Sequence, residues 1–169
     1  MKTAKIKCLY TEIWPIEKLV ENPKNPNRHP EDQLRVLGHL IVAHGWRNPI
    51  VVSRRSGMVV KGHGRLAAAR RAGLQEVPVE LQEYSSEAEE LADMIADNRI
   101  AELSERDELK VLDVLNTIST DGLPSLDAGY TEAEFVSSET GLRVLRSSNT
   151  TSSSGTRISS RNGLLSSAG

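Results

Sequence analysis

The residues best suited to chemistry fall in one stretch, Val59-Val60-Lys61-Gly62-His63-Gly64-Arg65-Leu66-Ala67-Ala68-Ala69-Arg70-Arg71-Ala72-Gly73. A β-branched run feeds a tight Gly-x-Gly turn that opens directly into a helix. Two glycines permit backbone dihedrals that other residues resist, and they leave room for a ligand to approach the main chain. The first N–H groups of a helix have no internal partner, and the helix dipole adds partial positive charge there. A phosphate fits that environment. Arg65, in the first turn, can add a two-pronged contact to phosphate oxygens. His63 can bind phosphate or shuttle a proton. The Gly-x-x-x-x-Gly-Lys spacing of a nucleotide P-loop is missing, and so is the third glycine of a dinucleotide fingerprint. The same pattern also describes a plain tight turn before a helix, and spacing alone does not choose between the two.

Other chemistry-bearing residues carry weaker signals. His29, His39 and His44 could be read as a metal site, but residues 39 and 44 are five apart, so they are not expected to share a helix face. Trp14 and Trp46 read as core or rim packers. Arg70 and Arg71 sit where a helix C-terminus favours cations; a DNA-phosphate role is the sharper alternative. The run Glu87, Glu89, Glu90, Asp93, Asp97 reads as a solvated helix face.

The elements that must position these residues follow from local pattern. Residues 9–14 alternate loosely and read as a strand. Residues 15–20 form a turn, and Asn22-Pro23-Lys24-Asn25-Pro26-Asn27 a loop. Pro30 opens a helix marked by Leu34, Leu37, Leu40, Ile41 and His44, and Gly45 closes it. Residues 49–52 and 58–60 flank Arg54-Arg55-Ser56-Gly57 as a hairpin. The motif helix runs from Arg65 to Ala72. Residues 77–81 form a strand whose Pro78 argues for an edge or a first pairing position. Ser86 with Glu89 caps a helix, Ser104-x-x-Asp107 opens another through Ile118, and Thr131-x-x-Glu134 caps a short one. From Ser147 onward, nine of the twenty-three residues are serine, which predicts disorder. The order predicts an α+β domain, a small mixed sheet with packed helices followed by a helical extension. The divisions expected are 1–83 for the core, 84–139 for an acidic helical extension completing the domain, and 140–169 for a serine-rich tail.

Composition narrows the function. Of 169 residues only 4% are aromatic, which excludes an RNA binder built on a sheet of exposed aromatics. No window approaches the roughly 18 apolar residues of a membrane span, and residues 1–7 lack the apolar run of a secretory signal. Cys8 is the only cysteine, so disulfide frameworks and cysteine-based zinc sites are excluded. A cytoplasmic protein without a membrane partner is the expectation. The net charge of −2 conceals an asymmetry. Residues 1–75 carry fourteen Lys/Arg against five Asp/Glu, whereas residues 76–139 carry three against eighteen. A basic segment of that size attracts polyanions; alternatively, the two halves neutralise each other within one fold.

Four strings in order then resemble a known family: Gly-Trp-Arg-Asn-Pro-Ile-Val-Val (45–52), Val-Val-Lys-Gly-His-Gly-Arg-Leu-Ala-Ala-Ala (59–69), Ala-Gly-Leu-Gln-Glu-Val-Pro-Val (72–79) and Ala-Asp-Asn-Arg-Ile-Ala-Glu-Leu (96–103). They are similar to the ParB/sulfiredoxin superfamily over about residues 9–120. The subtype they most resemble is the ParB-like nuclease-type domain of phages and mobile elements, often fused or adjacent to DNA methyltransferases.

The resemblance implies a cleft for a nucleoside triphosphate, CTP or ATP, with Mg²⁺. Gly45 and Asn48 match a loop that contacts nucleobase and ribose. Gly62 and Arg65 match the glycine and second arginine of the family's Gly-Glu-Arg-Arg turn, while His63 and Gly64 replace the glutamate and first arginine. On this reading His63 and Arg65 are the catalytic candidates, and Gly45, Asn48, Gly62, His63, Gly64, Arg65 and Asn98 bind the nucleotide. Asn98 and Asp97 are the metal candidates. Loss of one cation and one carboxylate weakens the case for hydrolysis. Sulfiredoxin activity is excluded, because His63 holds the catalytic cysteine's position. DNA, a DNA methyltransferase and a second copy in a homodimer are the implied partners. The competing readings are a metal-dependent nuclease or phosphotransferase, and a non-catalytic interaction module.

Overall fold

The computed structural model describes residues 2–136. Four strands form one mixed sheet: β1 (Glu12–Pro15), β2 (Ile50–Ser53), β3 (Val59–Lys61) and β4 (Glu76–Gln82). Their spatial order is β1-β4-β2-β3. β2 pairs antiparallel with β3, as the hairpin pattern predicts, and parallel with β4, while β1 lies antiparallel on the outer edge of β4. β2 is buried along its whole length because both faces are covered. Ile50 and Val52 face one cluster with Val59, Leu66 and Val79; Val51 faces another with Val60 and Met94. That period-two split turns a continuous apolar run into a two-sided strand.

The first cluster is covered by α1 (Glu31–His44) and α2 (His63–Arg71), and the second by α3 (Glu87–Glu102). α1 crosses α2 at Gly38, where a Cβ would make ordinary contact with the Ala68 carbonyl oxygen at 3.5 Å. Ala68 and Ala69 are fully buried, so the alanine run serves helix–helix contact as well as the sheet. Beyond α3 and α4 (Glu108–Thr120), a 3₁₀ turn (Ser125–Ala128) packs on α1 and against α4.

Several sequence-based expectations shift. The first strand starts at Glu12, and Leu9 stands almost fully exposed. α2 begins at His63, because Gly62 alone, at φ 95°, makes the left-handed N-cap. Gly64 and His63 therefore lie in the helix's first turn. Pro78 sits in an interior strand. The β2 ladder on β4 begins at Val79, one residue past the proline, and Pro78 itself faces only the edge strand β1. α4 is capped by Asp107, which accepts the Lys110 N–H, and not by Ser104. Ser86 caps α3 as expected, and Thr131 and Glu134 form their reciprocal box. The expected serine-rich disordered tail, 140–169, lies outside the described residues.

Part of the charge asymmetry is neutralised within the fold. Lys24 pairs with Glu87, Arg54 with Glu83, Arg55 with Glu90 and Lys61 with Asp93, each joining the basic part of the chain to the acidic part. Among the described residues no helix is long and apolar enough to cross a membrane.

Candidate functional site

The turn before α2 is built around Arg65. Gly62 is required twice: by its positive φ, and because a Cβ there would meet the Arg65 guanidinium at 2.9 Å. The folded-back guanidinium donates from Nη2 to the Pro49 carbonyl, 2.9 Å away, tying α2 to the loop before β2. Its Nε is buried with no acceptor. Burial pushes the Arg65 pKa below its ordinary value, and Asp97 nearby pulls the other way. The N–H groups of His63, Gly64 and Arg65 have no acceptor among the described residues; the helix ladder starts with Leu66 N–H on the Gly62 carbonyl.

Two cavities meet at this arginine. The smaller, about 170 Å³, is lined by Gly62, His63, Gly64, Arg65, Asp97 and Asn98, and by Asn25, Asn27, His29 and Gln33 on the opposite wall. The larger, about 410 Å³, is lined by Gly45, Trp46, Asn48, Ile41, His44 and Asp127 among others. Arg65 and Leu37 line both. The structure thus brings every sequence-predicted binding residue to one of two adjoining cavities, with Arg65 at the junction.

Each residue has a local reason for its place. Gly45, at φ 82°, ends α1, and a Cβ there would collide with the Lys5 carbonyl oxygen of the N-terminal strap. That strap pairs with Trp46 in both directions, at 2.7 and 2.9 Å. Asn98 donates its amide to the Met94 carbonyl at 3.1 Å, which leaves its side-chain oxygen unused within the helix. Asp97 follows it into the smaller cavity.

His63 is 7% exposed, and its Nε2 accepts the Asn22 N–H at 3.4 Å, which puts the ring proton on Nδ1. Burial lowers its pKa, opposed by Glu21. The Asn22 side chain in turn takes the Lys24 N–H at 2.9 Å. His63 therefore fastens the 22–29 loop over the cavity.

Other readings are corrected here. Among the described residues no group of three His, Cys, Asp or Glu could hold a metal ion. His39 and His44 do converge, contrary to the spacing argument. His39 Nε2 meets the Asp127 carboxylate at 2.7 Å, and His44 Nε2 donates to the Asp127 carbonyl at 2.9 Å. One residue meets both rings because it uses side chain and main chain. Arg70 and Arg71 pair with Glu21 and Glu31 at the surface. The acidic run is not uniformly solvated. Glu90 is 2% exposed, and Asp93 holds Lys61 at 2.8 Å and accepts the Tyr84 hydroxyl at 2.8 Å.

Sequence reasoning missed His29 and Gln33 as cavity residues. Nothing in one sequence links position 29 to position 64; the link is visible only once the loop is folded over α2.

With this geometry in place, the family is plain. Residues 3–99 match the ParB N-terminal domain, and the chain belongs to that family. It is similar to the ParB-like nuclease domain-containing protein YnaK of Escherichia coli (strain K12), with 32% identity over 75 residues, covering 44% of this chain and 82% of that one. It is also similar to the "Probable chromosome 2-partitioning protein ParB" of Deinococcus radiodurans, with 34% identity over 102 residues, covering 59% of this chain but only 33% of that protein. Among solved structures, the C-terminally truncated chromosome-partitioning protein ParB from Caulobacter crescentus, complexed with CTP-gamma-S, superimposes with a TM-score of 0.63. Its sequence identity is 25%, and the match covers 75% of each chain.

Proposed function

We propose that this chain binds a nucleoside triphosphate, CTP or ATP, across the two cavities and acts in DNA transactions. The observation that carries the reading is Arg65: a buried guanidinium with an unused N–H, at the junction of the two cavities, beside three backbone N–H groups without acceptors. Buried donors are normally satisfied, and an anion is the partner such a set lacks. The larger cavity, with Trp46 and Ile41 in its wall and Asn48 at its rim, has the mixed character a base and sugar need. The likeness to a ParB that was solved with a CTP analogue supports the assignment.

Mg²⁺ fits this site only as a phosphate-bound ion. The chain offers Asp97 and the Asn98 side-chain oxygen, short of the six oxygens the ion prefers unless phosphate and water supply the rest. His63 serves as a positioning residue, since its one acceptor nitrogen already holds the loop. The reading is accordingly one of binding, with hydrolysis not assigned.

DNA is the polyanion we assign to the outer surface. Lys5, Lys7 and Arg47 are exposed on neighbouring backbone segments at the Trp46 strap, and no ion pair engages them among the described residues. A phage or mobile-element setting, with a DNA methyltransferase as partner and the chain acting as a dimer, is the context we infer.

Calorimetric titration with CTP, ATP and GTP in the presence of Mg²⁺ tests the reading. Saturable binding by one of them, lost in Arg65→Ala, is the expected result. Absence of binding to all three, or equal affinity in the variant, would overturn it.

A further inference from the structure

The smaller cavity contains a second cation source that no motif marks. The His29 ring lies directly on Gly64: a Cβ at that position would stand 2.9 Å from His29 Cε1 and 3.1 Å from its Nδ1. Gly64 has ordinary helical geometry, so backbone strain does not demand a glycine there. The absence of a side chain at 64 serves to admit the ring. On its far side His29 is held by Gln33, whose Oε1 is 3.1 Å from Nδ1. The other ring nitrogen, Nε2, is buried and has no partner.

The Gln33 contact is compatible with either tautomer of the ring, and one of the two leaves Nε2 without a proton. With Gln33 Oε1 accepting, Nδ1 carries a proton, and the neutral ring presents a bare lone pair at Nε2. A lone pair repels a phosphate oxygen. A second proton turns Nε2 into a charge-assisted donor. We propose that His29 is a phosphate ligand of this site, acting as an imidazolium, so that nucleotide binding takes up a proton. This rests on the nucleotide reading above and adds to it the residue that completes the phosphate cavity.

The charged surroundings are mixed. α2 contributes Arg65 and the second titrating ring, His63, on which His29 acts electrostatically. β3 contributes Lys61, already paired with Asp93. α3 contributes Asp97, and Glu21 lies in the loop below. A bound polyphosphate adds negative charge beside the ring, and that charge is the source of the proton uptake.

The test is calorimetric titration of the full chain with CTP and with ATP near neutral pH, in several buffers of different ionisation enthalpy, which counts protons directly. The wild type should take up a fraction of a proton on binding, and its affinity should fall as pH rises. His29→Gln should bind about ten- to a hundred-fold more weakly, the cost of one charge-assisted hydrogen bond, with no uptake. The pair His29→Ala with Gly64→Arg places a permanent cation in the same space, and should regain affinity without proton uptake. Wild-type binding with no proton uptake, or with uptake unchanged in His29→Gln, would overturn the role of His29 and leave the nucleotide reading standing. Failure of the wild type to bind any nucleotide would overturn both.

Discussion

Two buried polar clusters flank the β2–β3 hairpin, and they are built on opposite terms. Beneath the hairpin, Glu90 enters the interior from α3 at 2% exposure. Its oxygens accept the hydroxyls of Ser53 and Ser56, both at 2.7 Å, and the Arg55 guanidinium at 3.0 and 3.2 Å. Burial drives the Glu90 carboxyl upward, but those four donor contacts outweigh it and hold it below its ordinary range. At the other end of β3, the half-buried Arg65 and His29 each hold one buried nitrogen without a partner among the described residues. The first cluster is complete and locks α3 to the sheet. The second keeps nitrogens without a partner among the described residues, the feature on which the proposed anion site rests. A satisfied buried charge belongs to the fold, whereas an unpaired polar atom leaves room for a partner.

The largest effect expected from breaking this contrast is at Glu90. Glu90→Ala leaves Arg55 and two hydroxyls uncompensated, and should cost about 3–5 kcal/mol in chemical denaturation. Arg65→Met should show the reverse profile. It removes an orphaned donor and one hydrogen bond, so stability should move by no more than about 1 kcal/mol, while nucleotide affinity drops about ten- to a hundred-fold. Denaturation and titration of the two variants side by side measure the crossover. A third variant, Asp127→Ala, removes the carboxylate that meets His39 and keeps the main-chain carbonyl that accepts from His44, so it loosens the 3₁₀ turn on α1 without detaching it. A loss of about 1 kcal/mol per hydrogen bond is expected, together with weaker base binding, because Asp127 walls the larger cavity.

The smallest effect is acid sensitivity, and it arrives in two windows. His63 is held below its ordinary 6.5 by burial, so as pH falls the unfolded chain takes its proton first. Its contribution to stability is fully present above that value and is lost as pH drops toward the depressed folded value. Glu90 and Asp93 are depressed from 4.5 and 3.8, so their contributions persist through the first window and fail in a second, lower one. Thermal melts across both ranges should show a two-stage decline, and His63→Gln should remove only the upper stage.

The contrast also explains what the sequence makes legible. The hairpin, the capped helices and the Gly-x-Gly turn are local patterns, decided by residues within a few positions of one another, and they fold nearly as read. Residues 62–65, 45, 48 and 98 were identifiable because their motifs carry a resemblance, and the two cavities gather them. Apart from shifts of a few residues at element ends, the misses turn on contacts across long sequence separations. Glu90 looks like one more solvated acid until Ser53, Arg55 and Ser56 fold over it, 34 to 37 residues upstream. His39 and His44 look mismatched until Asp127 arrives to meet both. Pro78 looks like an edge residue until the register shows the β2 ladder starting just beyond it. His29 lies in a loop of turn formers, and its role depends on an absent side chain 35 positions away.

The central claim is that the free N–H groups at the start of α2 hold a nucleotide's phosphates. Amide chemical shifts followed during a CTP or ATP titration test it most directly. The account predicts saturable shifts centred on the His63, Gly64 and Arg65 amides, with weaker ones at Gly45 and Asn48. Unmoved amides at 63–65, with shifts confined to α3 or α4, would contradict it.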